Sequence, residues 1–173
     1  MKVIQKTKIE LFKGNITDLE VDAIVNAAND RLIRGGGVDN AIHEAAGPEL
    51  QAECNTLNGC ATGDAKIANG YNSKAKYIIL AVGPIYNGGL YDEDKLLASC
   101  YRRCLEIAIE YKIKTIAFPC ISTGVYKFPA ERAAEIAFKT IKDFIQKNDG
   151  IEKIIFVCFG DENYEIYSKI IAY

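Results

Sequence analysis

Asn29, Gly35, Gly36, Gly37, Asp39 and His43 crowd into one segment, A-I-V-N-A-A-N-D-R-L-I-R-G-G-G-V-D-N-A-I-H-E-A-A-G from Ala23 to Gly47. An apolar run ends in polar Asn26 and Asn29, and three glycines then lead into a helical pattern. Glycines permit positive φ and leave backbone amides bare; at a helix start such amides bind an anion without any Lys or Arg. A tight strand-to-helix turn is the other use for glycine here, although one would suffice. Asp39 stands where the helix dipole favours a carboxylate. It reads as an acid facing the ligand or as an ordinary first-turn acid. His43 follows one turn later, close enough to touch Asp39; it orients that carboxylate or simply packs beside the helix. Asn29 offers both a donor and an acceptor, which suits a ribose diol, or it caps the strand end.

A second segment repeats the arrangement. In F-P-C-I-S-T-G-V-Y-K-F-P, Phe118 to Pro129, a strand again exits into small hydroxylated residues and a glycine before a helix begins at proline. Two amide-lined loops at two strand ends could hold the two phosphates of one diphosphate. Tyr126 would then lie against a sugar or stack on a ring. Neither G-x-G-x-x-G nor G-K-[ST] is present, so an ordinary dinucleotide or triphosphate site is excluded.

The elements that position these loops follow from two alternating hydrophobic periods. Lys8–Phe12 alternates as a half-buried strand; Ala23–Asn26, Tyr77–Val82, Thr115–Phe118 and Ile154–Phe159 are apolar runs of the kind covered on both faces. Between them, Val38, Ala41, Ile42, Ala45 and Ala46 fall at helical spacing, ended by Gly47-Pro48, and Leu50, Cys54 and Leu57 predict a short helix. Asp92 is expected to cap a long helix carrying Leu97, Cys100, Tyr101, Cys104 and Ala108. Pro129, in a first turn, opens another, carrying Ala134, Ala137, Phe138, Ile141, Phe144 and Ile145; Asp161 caps a last helix through Ile170 and Ile171. The class is α/β in three layers, with a mostly parallel sheet whose ligands bind beyond the carboxyl ends of the strands.

Composition narrows the chemistry. A length of 173 residues with no linker or repeat predicts one domain over 1–173, able to bury its core without disulfide staples. Lys and Arg total 21 against 23 Asp and Glu, which argues against bulk electrostatic binding of nucleic acid, and no run approaches a membrane span. A single His and the lack of any C-x-x-C leave no recognised metal site. Cys54, Cys60, Cys100, Cys104, Cys120 and Cys158 read as small buried side chains in a reducing compartment, and with no signal peptide the cytoplasm is the expected location.

Four blocks together resemble the macrodomain family, and within it the MacroD-type branch of O-acetyl-ADP-ribose deacetylases and mono-ADP-ribosyl hydrolases. They are G-N-I-T from Gly14, V-D-A-I-V-N-A-A-N from Val21, G-G-G-V-D-x-A-I-H-x-A-A-G from Gly35, and I-S-T-G-V-Y-x-F-P from Ile121. A-V-G-P from Ala81 and the C-terminal strand-and-Asp segment extend the match over almost the whole chain. The resemblance implies a mixed six-stranded sheet between helices, with ADP-ribose in a cleft at its crest. Asn15 and Ile16 would meet the adenine, with Phe159 stacked near it. Gly35, Gly36, Gly37 and Val38, with Ser122, Thr123, Gly124, Val125 and Tyr126, would hold the diphosphate and distal ribose. Asn29 would bind that ribose, and Asp39 would be the proton acceptor that activates or positions water. No metal or cofactor is implied. The expected partners are ADP-ribose or O-acetyl-ADP-ribose and mono-ADP-ribosylated proteins.

Three positions depart from the family pattern. Asn15 replaces an Asp that accepts from the adenine amino group, so the contact loses its charge. Arg34 replaces a first glycine of four, and Leu80-Ala81 stands where many relatives have His-Thr. Two functions from different classes remain. One is a hydrolase of the ester at the distal ribose, for which Asp39 is needed; the other is a reader that binds ADP-ribose without turnover. A single-stranded RNA binder would need more basic residues interleaved with aromatics than Lys74 and Lys76 near Tyr77.

Overall fold

The computed structural model describes residues 1–172. Its strands are β1 (Lys2–Ile4), β2 (Thr7–Lys13), β3 (Ala23–Ala27), β4 (Ala65–Asn69), β5 (Tyr77–Ala81), β6 (Thr115–Phe118) and β7 (Lys153–Cys158). Its helices are α1 (Gly37–Ala46), α2 (Pro48–Thr56), α3 (Glu93–Glu110), α4 (Ala130–Lys147) and α5 (Asp161–Ala172). The strands form one sheet in the order β1-β2-β7-β6-β3-β5-β4. All pairs from β2 through β5 are parallel, while β1 and β4 close the two edges antiparallel. The three-layer α/β/α class is as expected, but the sheet has seven strands where the residue pattern announced five and the resemblance implied six.

Both unanticipated strands are edges. β1 has only three residues, and A-K-I-A-N in β4 carries a single large apolar side chain. Neither period is strong enough to announce a strand by itself; the partner strand supplies the ladder.

The inner strands divide their side chains between two cores, as period-two geometry requires. Ala23, Val25, Ile79, Ala81, Ile116, Phe118, Ile154 and Phe156 face α3, α4 and α5. Ile24, Ile78, Leu80, Ala117, Ile155 and Val157 face α1 and α2, meeting Ile42, Ala46, Leu50 and Cys54. Helix α4 buries Ala134, Ala137, Phe138, Ile141 and Ile145 on the expected face. Each fully buried Ile there stabilises the fold by ~1.5–3 kcal/mol.

The helix starts differ from expectation. Asp92 lies at φ 59° and its side chain caps nothing. The next residue, Glu93, is buried, and its carboxylate accepts the backbone N–H groups of Asn87, Gly89 and Tyr91 at 2.7, 3.0 and 2.5 Å. The acid thus fixes the preceding loop instead of the helix end. Pro129 sits at the N-cap of α4 and not inside its first turn. Asp161 is the first residue of α5, where its carboxylate pairs with Lys13.

Candidate functional site

The parallel strands β2, β7, β6, β3 and β5 all end at one rim, and each delivers a different segment there. β3 lies between β6 and β5, so its exit loop is flanked by both of theirs. Next outward come Phe159 after β7 and Asn15 after β2, with Gly14 N–H donating to the Cys158 carbonyl at 3.0 Å. Three strand spacings, roughly 15 Å, separate β2 from β3. The fold therefore sets the expected residues in a row.

After β3 the chain folds on its own side chains. The Asn29 carbonyl accepts the N–H groups of Arg31 and Ile33 at 3.1 and 3.2 Å, and its amide donates to the Ile33 carbonyl at 2.6 Å. Asn29 thus shapes the loop first. One N–H of its amide has no acceptor among the described residues. Of the three glycines only Gly37, at φ 60°, uses a conformation that other residues avoid. A Cβ on Gly36 or Gly37 would meet no heavy atom within 4 Å, so the backbone is open on that side. The N–H groups of Gly36, Gly37, Val38 and Asp39 have no protein acceptor among the described residues, as the first turn of a helix dictates.

Asp39 is buried and gripped from three sides. Its Oδ1 accepts from the Asn26 amide at 2.6 Å, and its Oδ2 accepts from Gly35 N–H at 2.7 Å. The His43 Nε2 lies 3.4 Å from Oδ1. Burial holds the His43 imidazole below its ordinary pKa against the pull of Asp39, and Arg34 adds to the lowering, so the ring is neutral near pH 7. His43 therefore packs against the carboxylate as an uncharged neighbour.

The loop after β6 exposes a second run of amides. Among the described residues, the N–H groups of Ser122, Thr123, Gly124, Val125 and Tyr126 donate to no protein atom. Ser122 is buried at φ 69°, and its hydroxyl has no partner. A Cβ on Gly83 would fall 2.2 Å from that hydroxyl and 2.5 Å from Ile121 Cγ2, so only glycine at position 83 lets the loop pass. Tyr86 N–H ties the loop to the β5 exit by donating to the Tyr126 carbonyl at 2.8 Å. Burial, and then the fields of Asp30 and Asp39, raise the Tyr126 hydroxyl pKa.

The far end of the row differs from expectation in two details. The Asn15 carbonyl, expected to face a base amino group, accepts Thr17 N–H at 3.0 Å and the Thr17 hydroxyl at 2.8 Å, capping a short 3-10 turn. The group Asn15 leaves outward is its NH2, which is a donor. Ile16 sends its side chain into the α1 core, so its unpaired N–H is what it offers at the rim. Phe159 is 84% exposed, an aromatic face standing free beside β7.

Two residues of the site carry no expectation from sequence. Asn26, fully buried, orients Asp39, and its Oδ1 has no hydrogen-bond partner. A polar residue within an apolar strand run was its only signal. Gly83 lay within the matched A-V-G-P block, but the reason it must be glycine was not readable there, because its clash partner lies 39 residues away. Among the described residues no cluster of three or more His, Cys, Asp or Glu side chains could hold a metal ion, and no helix is long and apolar enough to cross a membrane.

Comparison with known proteins agrees with the geometry. Residues 25–137 match the family model described as Macro domain. A Macro domain-containing protein of Methanosarcina mazei is 57% identical over 165 residues, covering 95% of this chain and 88% of the relative. The human ADP-ribose glycohydrolase MACROD2 is 54% identical over 166 residues, covering 94% of this chain but only 39% of the longer human protein. The Oceanobacillus iheyensis macrodomain solved with ADPR superposes with a TM-score of 0.95 at 40% identity, covering 99% of this chain and 96% of that one. With its motifs in order, its fold matched throughout and a relative more than half identical along most of its length, this chain belongs to the Macro domain family.

Proposed function

We propose that the chain binds ADP-ribose along the rim of strand ends and hydrolyses the ester that joins its distal ribose to an acyl group. The acyl group would be acetate in O-acetyl-ADP-ribose, or an acidic side chain of a mono-ADP-ribosylated protein. Two runs of unpaired amides, 36–39 and 122–126, suit the two phosphates, and a net-negative protein needs no bulk positive charge to hold them. Phe159, the Asn15 NH2 and the Ile16 N–H lie on the side for the base; Asn29 and Asp39 lie on the side for the distal ribose. The human relative is named a glycohydrolase. Six unpaired thiols suit the reducing cytoplasm in which we place the chain.

One observation carries the enzymatic reading: a buried carboxylate, fixed by Asn26 and Gly35, stands directly beside unpaired amides. Water attacks the ester carbonyl, and Asp39 takes the proton that this water loses. The tetrahedral oxyanion then collapses, expelling the ribose oxygen, which takes that proton back from Asp39. General-base help of this kind is worth ~10²–10⁴-fold. His43, neutral and packed, preserves the carboxylate's orientation.

Binding without turnover is the second reading. Both Asp39 oxygens already accept protein donors, as a purely structural helix-start acid would. Single-turnover assays on O-acetyl-ADP-ribose and on a glutamate-modified protein separate the two readings. Asp39→Ala is expected to keep ADP-ribose affinity within a few-fold and to lose ~10²-fold or more in rate. Wild type that binds ADP-ribose yet releases nothing from either substrate would leave the reader.

A further inference from the structure

Cys120 and Cys158 stand at the ends of neighbouring parallel strands. β6 pairs with β7 at Phe118 and Phe156, so two residues further on the cysteines come level. Their sulfurs are 3.8 Å apart, and the Cys120 S–H lies between two acceptors, Cys158 Sγ and the Val157 carbonyl at 3.6 Å. Among the described residues no other two of the six cysteines are joined in this way. Cys120 is half-buried and Cys158 fully buried, so only Cys120 meets solvent. The placement is not neutral for the site. Cys120 opens the loop of five unpaired amides, and its carbonyl accepts the Thr123 hydroxyl at 3.0 Å. Cys158 directly precedes Phe159.

We propose that Cys120 and Cys158 form an oxidisable dithiol, a site at which a hydroperoxide closes an intramolecular disulfide between the two strand ends. In the first step the Cys120 sulfur attacks one peroxide oxygen. The O–O bond breaks, the sulfur is oxidised to a sulfenic acid, and the other oxygen leaves as water with the thiol proton. In the second step Cys158 Sγ attacks the sulfenic sulfur. The S–S bond forms, the S–O bond breaks, and the departing hydroxide takes the Cys158 proton as a second water. Two thiols and one hydrogen peroxide give one disulfide and two waters.

In the reduced pair the Cys120 S–H holds the Cys158 thiol below its ordinary pKa despite burial. That same hydrogen bond, with burial, keeps the proton on Cys120.

Closure from 3.8 Å to the ~2.05 Å of a disulfide draws Cys120 toward β7 and shifts the start of the amide loop. Weaker ADP-ribose binding, by about tenfold, is the expected consequence. This consequence rests on the proposed use of residues 122–126; the disulfide itself does not.

The test treats full-length protein with stoichiometric hydrogen peroxide, alkylates it under denaturing conditions and maps its peptides. The expected result is four alkylated cysteines, one Cys120–Cys158 linked peptide, and no linkage in Cys158→Ser. Six alkylated cysteines, a different linkage, or oxidation that stops at Cys120 sulfinic acid would overturn the proposal. Calorimetric titration of ADP-ribose into oxidised and dithiothreitol-rereduced protein reads the coupling. Equal affinities for the two forms would overturn it. Reduced protein that binds no ADP-ribose would instead count against the proposed function and leave the thiol result standing.

Discussion

The two amide loops reach similar surfaces by different means. The loop after β3 is shaped first from within, Asn29 closing on Ile33 and Gly35 on Asp39, each pair four residues apart. It is then held by Gln51 of α2 at Arg34 and Leu32 and by Cys60 at Asp30. The loop after β6 is held from outside, by Gly83 beneath Ser122, by Tyr86 at Tyr126 and by the Tyr101 hydroxyl between Pro119 and Ile121. Backbone strain is shared by both loops. The first loop puts positive φ on Gly37 as it enters α1, where no Cβ suffers, and on Leu32 at 56°, where one does. The second puts positive φ on Ser122 and Lys127, where each Cβ does. A loop with closures of its own depends less on change elsewhere, whereas one shaped by remote contacts alone reports on the packing around it.

Substitutions can break that contrast. Gly83→Ala has the largest expected effect on stability, because its Cβ would meet the buried Ser122 side chain and Ile121. Overpacking of this kind costs ~1–3 kcal/mol, read by urea denaturation, and ADP-ribose affinity should fall with it. Unchanged affinity would mean that the second loop is not remotely supported. Asn26→Ala removes a buried donor to Asp39 while leaving both amide runs intact. Stability should drop by about 1–3 kcal/mol, and single-turnover rate should fall more steeply than affinity. Equal losses in both would show that Asn26 holds the fold and not the carboxylate.

Gly37→Ala and Ser122→Gly form a matched pair. The alanine places a Cβ at φ 60° and is expected to cost about 1 kcal/mol; the glycine relieves strain of similar size but gives part of it back through backbone entropy. Opposite signs in thermal unfolding would sharpen the comparison; a destabilising Ser122→Gly would show that the serine side chain supports its loop.

His43 produces the smallest effect, and it appears only with pH. Its folded pKa lies below the roughly 6.5 of an unfolded chain. Between those values the unfolded chain takes up the proton that the folded one refuses. The contribution is thus fully present above about pH 6.5 and lost as pH falls through the folded value. Wild type should lose more stability than His43→Gln between pH 7.5 and pH 5. Parallel pH profiles would place the titration elsewhere.

Much of the site was legible because it is local. The glycine run, Asp39 at a helix start and His43 one turn on depend on spacings within a single strand–loop–helix unit, where backbone periodicity alone sets which groups meet. The inner strands were legible too, since burial on both faces writes an unbroken apolar run. Edge strands β1 and β4 were not, because a strand covered on one side and paired on one edge needs little apolar pattern of its own. Asp92 misled for a related reason. Its residue type suits a cap, but Glu93 found three backbone donors in the loop before it.

By itself, then, the sequence determined the alternation of strands and helices, the two amide-rich turns and the carboxylate between them, all consequences of short-range geometry and side-chain chemistry. Only the tertiary structure decided which strands are neighbours, and so brought Asn15, Phe159, Ser122 and Asp39 into one row. It also turned the Asn15 carbonyl inward, set Asn26 against Asp39, made glycine obligatory at position 83 and laid Cys120 beside Cys158. Each of these depends on two segments far apart in the chain meeting at van der Waals or hydrogen-bond distance, and no spacing within either segment encodes that encounter.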